Sequence, residues 1–165
     1  MAMGLGYHRE SQARLAQVTK DNQAAAPVIS SAGALVNGLK VIGAKRIALV
    51  APYMKPLTQL VVDYIQHEGI EVKVARAGDP GQPRSRPARS GQLPGIVAEM
   101  DLREVDAIVL SACVQMPSLP AVPTVEAQTG KPVITAAIAT TYAMLTALEL
   151  EPIVPGAGAL PSGAY

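Results

Sequence analysis

The residue of this 165-residue chain best suited to covalent or acid–base chemistry is its only cysteine, Cys113. It lies two positions beyond an apolar run at 106–111 and shortly before Pro117, a residue type that marks the first turn of a helix. Backbone N–H groups of Val114, Gln115 and Met116 at such a helix start would point into one crevice and form a cradle for a carboxylate. The positive end of a helix also favours a thiolate over a thiol. Position alone leaves a second reading of Cys113 open, because most free cysteines are small buried core residues.

Three further positions share this setting, each just after a strand-like run. Tyr53 stands between Pro52 and Pro56, which restrict its loop, and its phenol could donate a hydrogen bond to a carboxylate. The simpler reading packs its ring against the adjacent helix. Ser30 and Ser31 read first as helix caps and only second as ligands, and Thr135 follows the last apolar run. His8 and His67 have no His, Cys or carboxylate at ligand spacing, so no metal site is expected; His67 reads as a solvated helix-end residue. Gly156-Ala-Gly158 is no dinucleotide fingerprint, because no strand precedes it and no helix follows. Neither a phosphate-binding glycine loop with its lysine nor a nucleophile elbow is present.

The elements that must position these residues follow a repeated beat. An amphipathic helix is expected over 9–22, with Leu15 and Val18 on one side, stopped by Pro27. A short strand at 27–30 leads to a helix over 31–42, capped by Ser31 and carrying Leu35, Leu39 and Ile42 on one face. Residues 46–51 form a strand apolar on both faces. The next helix carries Leu57, Leu60, Val61, Tyr64 and Ile65 and closes at Gly69. Strands at 70–75, 106–111 and 132–135 alternate with helices near 95–100, 117–128 and 136–148. Strand–helix–strand at this spacing implies right-handed crossovers, hence an α/β fold with a mostly parallel sheet and helices on both faces. Ligands of such sheets sit beyond the carboxyl ends of the strands.

Composition agrees. Apolar residues make up 49% of the chain, which holds no Phe and no Trp, so Val, Ile, Leu and Ala must build the core. A net charge of +1 gives no reason to expect nucleic acid or an anionic membrane as partner. One cysteine cannot form an internal disulfide, which points to a reducing compartment, the cytoplasm. Residues 1–6 are too short and uncharged for a signal peptide, and the uncharged stretch 132–148 reads as strand plus helix, with no membrane span expected. Residues 1–26 are a lead-in helix, 27–150 an α/β lobe, and 151–165 a Pro- and Gly-rich irregular arm. Within the lobe, 78–92 hold Arg84, Arg86 and Arg89 with three prolines and no large aliphatic residue. That stretch reads as a mobile loop, a solvated linker more simply than an anion grip.

Four runs carry a resemblance. Ser30-Ser-Ala-Gly-Ala-Leu-Val36, Ala51-Pro-Tyr-Met-Lys-Pro56, Val109-Leu-Ser-Ala-Cys-Val-Gln-Met-Pro-Ser-Leu-Pro120 and Pro155-Gly-Ala-Gly-Ala159 are similar to maleate cis-trans isomerases of the aspartate/glutamate racemase superfamily. The resemblance implies half of a two-lobed fold and a cofactor-free conversion of maleate to fumarate. In that family two cysteines face each other across a cleft; one thiolate adds to the alkene and the other thiol handles the proton on the neighbouring carbon. Cys113 matches the second, acid–base cysteine, and Tyr53 the tyrosine that hydrogen-bonds the substrate. The amides of Val114 and Gln115 would hold one carboxylate, and Ser31 and Thr135 are weaker candidates. A homo-oligomer is implied as well.

Two departures stand out. Residues 1–8 resemble the stretch just after the first cysteine, which implies that the first lobe precedes the part of the pattern seen here. No asparagine within 78–92 matches the family's second carboxylate ligand, and family likeness resumes at Leu93. The composition between is what a GC-rich gene read out of frame would give. The alternatives are another cysteine-dependent racemase or decarboxylase of the superfamily, against which Val114-Gln-Met-Pro117 speaks, or a folded fragment without activity.

Overall fold

The structure, a computed structural model, describes residues 7–23, 27–51, 53–77, 90–111 and 117–165. Its elements in chain order are α1 (Tyr7–Asp21), α2 (Ser31–Val41), β1 (Arg46–Ala51), α3 (Lys55–His67), β2 (Glu71–Ala77), α4 (Leu93–Ala98), β3 (Ala107–Leu110), α5 (Val122–Thr129), β4 (Val133–Ile134) and α6 (Ala136–Ala147). Short 3-10 turns at Ser90–Gln92, Leu119–Ala121 and Leu160–Ser162 complete them.

The four strands form one parallel sheet in the order β2-β1-β3-β4. β1 is buried at every position except Arg46, and β3 at all four, so both faces of the centre are covered, as their unbroken apolar sequences require. β2 is an edge strand and keeps Glu71, Lys73 and Arg76 along it, charges that discourage pairing with another chain. Lys73 is the extra residue of an irregularity in the β1–β2 register, where Ile47 pairs Val72 and Ala48 pairs Val74. In the order β2-β1-β3-β4 the β1-to-β2 connection runs one way and the β2-to-β3 and β3-to-β4 connections the other. The general right-handed rule for crossovers therefore assigns α3 to one face and α4 with α5 to the opposite one.

The α/β class with a parallel sheet is therefore as the sequence predicts, with four local corrections. The helix expected from Pro117 begins later: Pro117 and Ser118 are not helical, a 3-10 turn follows at Leu119–Ala121, and α5 starts at Val122. Residues 27–30 are not a strand: they carry no ladder, and the Val28 carbonyl instead accepts from Gln12 Nε2 of α1 at 3.4 Å. The cap of α2 is Ser30, not Ser31; its hydroxyl accepts from Gly33 N at 3.1 Å while its backbone stays extended. The face that α3 turns to the sheet holds Thr58, Val62 and Ile65, while Leu57 and Leu60 are exposed. Apolar side chains lie on more than one side of this helix, and only the side carrying Val62 and Ile65 meets the sheet.

Of the segment 78–92, residues 78–89 lie outside the described residues, and Ser90–Gln92 turn directly into α4. The chain beyond residue 151 is irregular apart from its last 3-10 turn, yet Ala157 and Leu160 are buried. Leu160 packs onto α2 where Gly38 has no side chain; a Cβ there would stand 2.9 Å from Leu160 Cδ2 and 3.4 Å from Ala139 Cβ. Close approach of α2, α6 and the arm depends on that glycine.

Candidate active site

Because all four strands are parallel, the residues following them lie at one edge of the sheet. Val50 is opposite Leu110 in the β1–β3 register, so the chain leaves both central strands at the same level. Tyr53 follows β1 by two residues and Ser111 follows β3 directly, its N–H donating to Val50 O at 2.8 Å. Thr135 follows β4. α2 returns to β1 through a short turn, and a helix of its length rises about 16 Å against about 20 Å for β1, so its N-terminus with Ser30 and Ser31 comes back to this edge.

Charge is divided unequally between the two edges. Where the strands begin, Asp106 accepts from the backbone N–H groups of Lys45 and Arg46 and pairs with the Arg46 guanidinium. Lys73 bridges Glu71 and Glu104 there, and Lys131 Nζ donates to Val105 O at 2.6 Å. Where the strands end, the described residues present hydroxyls, Arg76 of the edge strand β2 paired to Glu99, and the N-termini of α2, α3 and α6, none of which has an acidic residue in its first turn. Uncompensated helix N-termini beside hydroxyl donors favour an anion over a cation.

Tyr53 is half-buried and packs against the core, and its carbonyl accepts from Thr58 Oγ1 at 3.1 Å. Thr135 is fully buried and caps α6, its hydroxyl accepting from Ile138 N at 3.1 Å. Ser31 is exposed at the first turn of α2. His67 is exposed at the last turn of α3. Cys113, Val114 and Gln115, with Ala112 and Met116, lie outside the described residues; the chain is described up to Ser111 and again from Pro117. The sheet thus gathers Tyr53, Ser31 and Thr135 at the edge from which the Cys113 segment departs. Among the described residues no group of three His, Cys, Asp or Glu comes together as metal ligands, and no helix is long and apolar enough to cross a membrane.

Thr58 is a site-edge residue that the sequence pattern passes over. Its one signal is a threonine four residues past Met54, at the start of a helix whose cap position offers no side-chain acceptor. A surface depression of about 390 Å³ lined by Val97, Met100, Leu102 and Gln128 lies instead where the strands begin, and holds none of these residues.

Such a sheet, with an anion-favouring edge at its carboxyl ends, defines an α/β protein of the kind that binds small ligands at that edge. A family model described as arylmalonate decarboxylase matches residues 1–161, and the chain belongs to that family. The resemblance to maleate isomerases read from the residues is borne out as well. A maleate isomerase of Pseudomonas putida is 70% identical over 169 residues, covering 100% of this chain and 66% of that protein. The crystal structure of a cysteine-to-alanine variant of a maleate isomerase from Pseudomonas putida, with maleate, superposes with a TM-score of 0.90 at 60% identity, covering 99% of this chain and 66% of that one. A cysteine-to-serine mutant of the Nocardia farcinica maleate cis-trans isomerase, with a covalently bound succinylcysteine intermediate, gives 0.86 at 42% identity, covering 97% and 66%. The chain therefore spans just under two thirds of the length of these relatives.

Proposed function

We propose that this chain carries one side of a maleate cis-trans isomerase site, with Cys113 as its acid–base thiol. The observation that supports the reading is the parallel register of β1 and β3, which brings Tyr53 and Ser111, the last described residue before Cys113, out at one level on the edge where helices α2, α3 and α6 begin without a carboxylate in their first turns. Two carboxylates of maleate need such a setting, and an acidic neighbour would repel them.

In this reading a thiolate from the part of the family pattern that the chain does not span adds to one alkene carbon of maleate. A C–S bond forms, the π pair moves to the neighbouring carbon, and Cys113 delivers a proton there. The resulting succinyl thioether rotates about what is now a single bond. Cys113 then takes the proton back, the double bond re-forms trans, and the C–S bond breaks to release fumarate. Electrons balance without an oxidant or reductant. Tyr53 donates a hydrogen bond to a substrate carboxylate, and the amides of Val114 and Gln115 receive a carboxylate as charge shifts. Ser31, exposed at the start of α2, is a weaker contact, and Thr135 acts through the cap it supplies to α6. A reducing cytoplasm keeps the Cys113 thiol free. The homo-oligomer belongs to this reading too, supported by the exposed Met144, Leu148, Leu150 and Ile153, and sedimentation velocity reads it directly.

The test is maleate binding to the purified chain, and fumarate formation once the chain is joined to the part of the family pattern that supplies the first cysteine, followed by ultraviolet absorbance and proton NMR in deuterated water. Fumarate that carries solvent deuterium, and is lost with Cys113→Ser, is the expected result. Turnover unaffected by Cys113→Ser, or a chain that neither isomerises nor binds maleate, defeats the proposal. The family model favours one second reading, decarboxylation of a small substituted malonate, which carbon dioxide release from phenylmalonate would reveal.

A further inference from the structure

Thr58 occupies a position where its hydroxyl needs an explanation. It lies on the stripe Thr58, Val62, Ile65 that α3 turns to the sheet, and is only 5% exposed. Valine has nearly the same shape and would sit there without a polar atom to satisfy. Helical threonines ordinarily bond back to the carbonyl four residues earlier. Thr19, Thr129, Thr140 and Thr146 do this in the same chain, at 2.6–2.9 Å, to Leu15, Val125, Ala136 and Tyr142. Thr58 does not. The carbonyl four residues back, on Met54, already accepts two backbone N–H groups, from Leu57 and from Thr58 itself, each at 3.0 Å. The Thr58 hydroxyl passes it and donates to Tyr53 O at 3.1 Å, outside the helix.

That bond ties the exit of β1 to the buried face of α3. Only residues 52–54 separate the two elements, and Met54, at the cap position, makes no side-chain bond to the helix. The Thr58 hydroxyl supplies from inside α3 the restraint on this connection that the cap position omits. We infer that Thr58 is a positioning residue: by holding the Tyr53 carbonyl it fixes the direction in which the Tyr53 phenol is offered at the carboxyl edge of the sheet. This rests on the proposed role of Tyr53 as a substrate-binding residue, and deepens it by naming what sets its geometry.

The test uses the full chain labelled with carbon-13 tyrosine, the Tyr53 ring signal being assigned by its loss in Tyr53→Phe. Two quantities are read for each variant: that ring signal, and maleate affinity by titration. Thr58→Val is expected to shift or split the Tyr53 signal and to weaken maleate binding about five- to tenfold, the worth of one hydrogen bond. Thr58→Ser, which keeps the hydroxyl, is expected to match the wild type. In a Tyr53→Phe background Thr58→Val is expected to cost nothing more, because the group it positions is gone. Thr58→Ala serves in place of Thr58→Val should that variant not fold. An unchanged ring signal in Thr58→Val, or a loss of affinity of the same size with and without the Tyr53 hydroxyl, overturns the inference. A wild-type chain that takes no maleate defeats the functional reading instead, and the ring signal still decides whether Thr58 holds Tyr53.

Discussion

Arg46 Nη2 lies 2.9 Å from Asp106 Oδ1, joining the starts of the two neighbouring central strands, β1 and β3. The other carboxylate oxygen, Oδ2, accepts the backbone N–H groups of Arg46 at 2.9 Å and Lys45 at 3.1 Å. One side chain therefore satisfies donors at the start of β1 and sets the level at which β1 and β3 begin. Because the strands are parallel, it also sets the level at which they end, where Tyr53 and the Cys113 segment depart.

This pairing has a pH signature. The side-chain bond from Arg46, reinforced by the two backbone N–H groups, holds the Asp106 carboxyl below its ordinary value. A depressed carboxyl binds fewer protons folded than unfolded, so its stabilisation is complete above the unfolded value near pH 4 and is lost as pH falls through the folded one. Thermal melts from about pH 7 to about pH 3 should show Asp106→Asn destabilised by about 1–2 kcal/mol at neutrality, with the gap to wild type closing in acid. Asp101 is drawn down to about 2, chiefly by the Arg103 side-chain bond, but on an exposed turn, so Asp101→Asn is the control expected to change the melts little.

A second carboxylate anchors the C-terminal arm. Glu126 Oε1 accepts from Val133 N at 3.0 Å and from Ala159 N at 2.9 Å, holding the arm beside the start of β4. Glu126→Ala should cost about 2–3 kcal/mol in a denaturant midpoint, since two part-buried donors lose a charged acceptor, while Glu126→Gln, which retains a carbonyl, should cost less than half of that.

Gly158, adjacent to that anchor, combines φ of +86° with crowding: an added Cβ would stand 2.7 Å from Val122 Cγ1 and 3.3 Å from the Val133 carbonyl. Gly158→Ala should therefore destabilise by at least about 2 kcal/mol and release the arm, seen as faster amide exchange at Ala159.

Thr135 separates a cap from a ligand. Thr135→Ala should lower stability by about 1 kcal/mol through loss of the bond to Ile138 N, and Thr135→Ser should restore it. Maleate affinity should follow stability in both variants; a loss of affinity in Thr135→Ala at unchanged stability would instead mark direct substrate contact.

Much of the fold was legible because it is local. The apolar runs at β1 and β3 and the glycine after α3 specify those elements within a few residues of sequence. Residues 27–30 misled because Val28 and Ile29 are strand-formers, while the partner that takes the Val28 carbonyl is Gln12 on another element. Leu57 and Leu60 misled for a related reason: apolar side chains on a helix do not by themselves say which side meets the sheet. At the site, the chemistry-bearing types Cys113, Tyr53, Ser31 and Thr135 could be picked out after strand-like runs, but Thr58 could not.

By itself the sequence determined an alternating α/β chain, an aliphatic core without Phe or Trp, and a single thiol following an apolar strand. Those are properties of composition and short-range period, which need no knowledge of distant partners. The tertiary structure decided that β1 and β3 are neighbours, that carboxylates gather where the strands begin, and that the Thr58 hydroxyl turns to Tyr53. Each of these is a pairing between groups whose meeting depends on how the helices cross the sheet, so it exists only once the whole chain has folded.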